Sequence, residues 1–152
     1  MPWITERLQP LRLASTGVDP TVPDSSPAVT RHYTPELANR SLPLVSRIVG
    51  DIQGLTERIA AVLADYPEDV EGLRREERDD RLEPLRDRWV ELHRELEELG
   101  VERKDPRTGL IDFRAMRQGE EVYLCWRLGE PSVGHWHPLH TGFAGRAPID
   151  TF

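Results

Sequence analysis

Apolar residues recur through the middle of the chain with a helical period. Val45, Ile48, Ile52, Leu55, Ile59, Val62 and Tyr66 follow one another at spacings of 3, 4, 3, 4, 3 and 4. Such spacing keeps them on one side of a helix as a heptad seam. The start of this helix is also written in the sequence. Thr34 is a good N-cap, Pro35 fits the first helical position, and Glu36 sets a negative charge at the positive end of the helix dipole. Pro43 lies inside and removes one backbone hydrogen bond; Pro67 marks the end. A second seam, Leu82, Leu85, Trp89, Leu92, Leu96 and Leu99, has spacings of 3, 4, 3, 4 and 3 and is followed by Gly100, well placed as the residue after the helix. Between the seams, ten of the thirteen residues from Glu71 to Glu83 are charged, with mixed signs, as expected of a solvated helical end or loop. Neither helix buries its stripe alone, so the two are expected to pair as an antiparallel hairpin.

Beyond Gly100 the period changes. Leu110-Ile111-Asp112-Phe113 follows the turn signal Arg107-Thr108-Gly109, and Glu121 to Leu128 is rich in strand formers. Gly129-Glu130-Pro131-Ser132 reads as a turn, with Val133 to His137 as the returning strand stopped by Pro138. The expected fold is therefore α+β, a long antiparallel helical hairpin packed with a small C-terminal antiparallel β-meander. Its helices are placed at about 34–66 and 69–99, and its strands at about 110–114, 121–128 and 133–137. Residues 1–30 contain five prolines and few apolar residues; they read as a flexible arm before a single domain over 31–152.

Composition narrows the function classes. The chain has 152 residues, 38% of them hydrophobic and 31% charged, with a net charge of −7. An acidic balance argues against a nucleic-acid partner. No apolar run is long enough for a membrane span, and Glu6, Arg7 and Arg12 interrupt any signal core. The single cysteine, Cys125, cannot form an internal disulfide, which fits a cytoplasmic protein.

Candidate chemistry gathers in the C-terminal third. His135-Trp136-His137-Pro138-Leu139-His140 spells His-x-His-x-x-His. Residues two apart on a strand share a face, so His135 and His137, with His140 from the following loop, suit a transition metal such as zinc or iron. With a five-residue turn from Leu128 to Ser132, Cys125 lies opposite His135 and Tyr123 opposite His137; a one-residue change turns Cys125 toward Trp136 instead. Cys125 is then a ligand, a nucleophile with a nearby histidine base, or a small buried hydrophobe. His93, at the border of the second seam, is either a ligand from across the domain or a histidine bonded to a carboxylate such as Glu97. Glu120, Glu121 and Glu130 are candidate bases or ligands. Gly142-Phe143-Ala144-Gly145-Arg146 joins two glycines to a guanidinium that suits an anion. His32 falls at the edge of the arm and carries little information.

These segments resemble a known family. Tyr33-Thr34-Pro35-Glu36, Glu98-Leu99-Gly100-Val101, Gly109-Leu110-Ile111-Asp112-Phe113 and the block from Val122 to Glu130, then Trp136-His137 and Gly142 to Arg146, are similar to the bacterial domain of unknown function 2203 over about residues 33–148. The resemblance implies a small bacterial cytosolic protein. Cys125, Trp126, Glu130, His137, Gly142, Phe143, Gly145 and Arg146 match its C-terminal signature, whereas His135 and His140 do not belong to it. It favours His137, Cys125, Glu130 and Arg146 meeting at one site.

Two functions follow as expectations. One is a metal site on the sheet, drawn from His135, His137, His140, His93 and Cys125, serving a metalloenzyme that acts on a small anionic substrate, with Glu130, Arg146 and Cys125 as candidate catalytic residues. The other is a non-enzymatic module that forms a homo-oligomer, or binds a partner, through its helices.

Overall fold

The computed structural model describes residues 31–105 and 107–152. The expected arm over 1–30 lies outside the described residues. Two helices, α1 (Pro35–Ala64) and α2 (Leu73–Glu98), form the antiparallel hairpin. Thr34 caps α1 by accepting the backbone N–H of Leu37 at 3.2 Å. The helix continues through Pro43 without interruption. Its seam is spent on the inside of the molecule: Val45, Ile48, Ile52, Leu55, Ile59 and Val62 are buried, as are Leu82, Leu85, Leu92 and Leu96 of α2. Trp89 of α2 also donates its indole N–H to Thr56 of α1 at 3.2 Å. The second helix begins at Leu73, four residues later than the expected start, because Gly72 takes φ +64° and ψ −145°. That backbone conformation belongs to glycine and breaks the helical path.

Five antiparallel strands follow in chain order: β1 (Val101–Asp105), β2 (Leu110–Arg117), β3 (Glu120–Arg127), β4 (His135–Pro138) and β5 (Ala147–Pro148). The three expected strands are present as β2, β3 and β4, with ends shifted by up to three residues. Two were not expected. β1 is an edge strand whose Glu102, Arg103, Lys104 and Asp105 hide the strand signal, since charges are common on sheet edges. β5 has only two residues and exists through its pairing with β4. Tyr33, just before α1, is buried, donates its backbone N–H to the Arg114 carbonyl at 2.7 Å and its hydroxyl to the Leu99 carbonyl, and so ties the hairpin to the sheet.

The register sorts the sheet into two faces. Val101, Ile111, Phe113, Ala115, Val122, Leu124 and Trp126 share the apolar face and are part of the core with the helical seams. Glu102, Asp112, Arg114, Tyr123, Cys125, His135 and His137 share the other. Even there, the five consecutive residues from Val122 to Trp126 are all buried. The outer face is therefore covered too, which prepares a polar cluster shielded from water. No helix among the described residues is long and apolar enough to cross a membrane.

Candidate metal centre

Three neighbouring strands each supply one side chain to this cluster. Asp112 of β2 pairs directly with Cys125 of β3, and His137 of β4 stands one pair further along. One ligand atom from each lies within 4.8 Å of the other two. Exposure is 2% for Asp112, 0% for Cys125 and 2% for His137. The strand pairing decides this convergence. Cys125 faces His135 and Tyr123 faces His137, the register expected of a five-residue turn.

The hydrogen bonds orient the imidazole. His137 Nδ1 lies 2.8 Å from the Pro138 carbonyl, which can only accept, so this nitrogen carries a proton. Nε2 lies 3.1 Å from Asp112 Oδ2, a contact that needs one proton, on the ring or on the carboxyl. A carbonyl on one ring nitrogen is the usual arrangement that frees the other for a metal. Asp112 Oδ1 is buried and has no hydrogen-bond partner. Burial pushes the Asp112 carboxyl above its ordinary range, opposed by the attraction of His137 and Lys104. Burial and the neighbouring Asp112 push the Cys125 thiol up to about 12, with Arg146 pulling the other way.

That thiol is a poor nucleophile. Reactive cysteines are thiolates near neutral pH, beside a base that takes their proton. Here His137 Nε2 makes its contact with Asp112 and not with the thiol. As a metal ligand the same thiol needs no neighbouring base, because the ion itself displaces the proton.

Arg146 lies beside the Cys125 thiol, and Glu130 stands beside Arg146. Arg146 follows the short 3-10 turn Phe143–Gly145, and its guanidinium lies 3.7 Å from the centre of the Phe143 ring. Its Nη1 sits 3.5 Å from Glu130 Oε1, yet this buried nitrogen has no hydrogen-bond partner. Glu130 is held at its other oxygen by the Arg127 backbone N–H at 2.9 Å. On the opposite side, the Tyr123 ring packs 5.4 Å from that of His137 and donates its hydroxyl to Glu102 at 2.8 Å. Glu102 also accepts from Lys104 at 2.8 Å and Arg114 at 2.7 Å. Burial raises its pKa, but these three donors outweigh burial and hold the carboxyl at about 2.

The other candidate histidines lie elsewhere. His135 shares the outer face and has a buried Nδ1 without a partner, but it is outside the three-residue group. His140 is exposed and lines a separate surface cavity of about 440 Å³ with Arg117 and Trp136. His93 is on α2, where Nδ1 bonds the Trp89 carbonyl at 2.7 Å and the ring stacks 3.6 Å from that of Trp89. A backbone carbonyl one turn back thus takes the place expected for Glu97. His32 is held by Glu121 at 2.8 Å. Glu120 is exposed at the β2–β3 turn. Asp112 was missed by sequence reasoning. The available signal was an acid flanked by Ile111 and Phe113 in a strand, where alternation alone assigns it to a solvated face.

The chain matches the family model described as Uncharacterized conserved protein (DUF2203) over residues 31–149, and it belongs to that family. No curated protein and no solved structure matches it.

Proposed function

We propose that the protein binds a divalent transition metal through Asp112, Cys125 and His137. The observation that carries this reading is the convergence of a carboxylate, a thiol and an imidazole, all buried, with their ligand atoms within 4.8 Å of one another. A buried carboxylate oxygen without a partner is costly unless something binds it, and a metal ion would satisfy it. Thiolate with imidazole favours zinc, and iron is the next choice.

Three protein ligands leave a fourth position, as in catalytic rather than closed structural zinc sites. We assign to that position a metalloenzyme chemistry on a small anionic substrate, with Arg146 near enough to receive the anion. When bound, the metal would polarise the substrate or an attached water. Asp112 and His137 would fix it, and the Pro138 carbonyl would keep the imidazole in the ligating tautomer.

Protein prepared without an affinity tag should carry about one metal per chain by elemental analysis. Asp112→Asn and His137→Ala should lose it, while His140→Ala and His93→Ala should keep it. Metal-free protein that gains no thermal stability from zinc, iron or cobalt would rule the reading out.

Self-association through the helices is the second reading. The heptad seams are buried within one chain and are not free for a partner. Leu37 and Leu44 on α1, with Leu73 and Val90 on α2, are the exposed apolar residues of the helices that a dimer would cover. Light scattering on the full chain decides this independently of metal.

A further inference from the structure

Arg146 stands beside Cys125 and acts on its thiol, but one of its donors, Nη1, is unused. Its side chain is 18% exposed, and Nη1 is buried with no hydrogen-bond partner. The adjacent carboxylate, Glu130, stands at 3.5 Å, beyond the range of a good charge-assisted bond. Glu130 is anchored instead by the Arg127 N–H. A guanidinium held loosely by one carboxylate is prepared to exchange it for another.

Charge selects the class of ligand. Asp112 and a metal-bound Cys125 thiolate together balance a divalent ion, and Glu130 balances Arg146. An incoming monocarboxylate that takes Arg146 from Glu130 keeps the buried site neutral, while Glu130, with 22% of its side chain exposed, can turn to water. A phosphate dianion would add a second negative charge beside the buried triad, which is unfavourable.

We infer that the site takes a small monocarboxylate, bound between the fourth metal position and Arg146, with Glu130 as the internal carboxylate it displaces. This rests on the metal reading above. It assigns Arg146 as the specificity residue and Glu130 as a built-in competitor.

The test uses the full chain loaded with cobalt(II), whose visible bands report its coordination, and acetate as the probe. Acetate should shift the bands saturably, and phosphate at equal concentration should shift them less. Arg146→Gln should keep the cobalt spectrum, which also reports that the site has folded, and weaken the acetate response about tenfold or more. Glu130→Gln retains an acceptor for the Arg127 N–H and should tighten acetate about threefold, since the competing charge is gone. An unshifted wild-type spectrum, an unchanged response in Arg146→Gln, weaker acetate binding in Glu130→Gln, or phosphate outdoing acetate would each overturn the inference while leaving the metal reading intact. If cobalt gives no bands with the wild type, the metal reading fails, and this inference falls with it.

Discussion

His137 Nε2 lies 3.1 Å from Asp112 Oδ2 although 25 residues and the whole of β3 separate them in the chain. Cys125 fills the position between, on the strand that each of the others flanks. The pair holds an imidazole nitrogen and a carboxylate oxygen within reach of one ion in a buried site, and from it the first prediction follows.

Zinc should raise the melting temperature of the wild type, because an ion that binds only the folded site stabilises it by about 2.7 kcal/mol at one hundred times its dissociation constant. Asp112→Asn and Cys125→Ser should abolish the rise. The thiol stands at about 12 before metal binds, so the ion must expel its proton. Binding should therefore strengthen as pH rises from about 6 to 8, with proton release measurable by calorimetry in buffers of different ionisation enthalpy.

Acid stability should depend on Glu102. Its folded pKa of about 2 is depressed from an ordinary value of 4.5. A depressed carboxylate contributes stability that is complete above the unfolded value and is lost as pH falls toward the folded one. Glu102→Gln should thus have a lower melting temperature than the wild type above about pH 5, and the gap should close toward about pH 2. A gap of constant size across that range would show that the three hydrogen bonds to Glu102 do not depend on its charge.

Gly109 should resist substitution. Its φ is +67°, and a Cβ placed there would lie 2.6 Å from Leu128 Cβ and 3.1 Å from Val49. The left-handed backbone alone costs about 1–2 kcal/mol for a residue with a Cβ, and the contact with Leu128 adds to it. Gly109→Ala should lower stability in urea unfolding by about 2 kcal/mol or more.

Asn39 should matter more than its place on a helix surface suggests. Its Oδ1 accepts the backbone N–H of Val133 at 2.8 Å, joining α1 to the segment just before β4. Val133 is 2% exposed, so Asn39→Ala leaves a buried donor unpaired. The expected loss is about 1–3 kcal/mol by denaturant titration. Because this bond holds the approach to β4, the variant should also weaken zinc binding at His137.

The sequence by itself determined the helical hairpin and the change to strands after Gly100. Both seams have a local period, and a period survives whatever the chain later packs against. Gly100 at φ +72° ends α2 as its position foretold, since only local backbone geometry is involved. The Cys125–His135 pairing was also within reach, because it depends on one turn length. The tertiary structure alone decided the rest. β1 carries charges in place of a strand pattern and exists through its ladder with β2. Asp112 reads as a solvated strand residue, and it becomes a candidate ligand only because the outer sheet face is covered and β2, β3 and β4 lie side by side. His93, His135 and His140 share the residue type of a ligand, but the sheet's two faces and the turn after β4 set them apart from the triad. Residue type is local information; burial and cross-strand neighbours are properties of the whole fold.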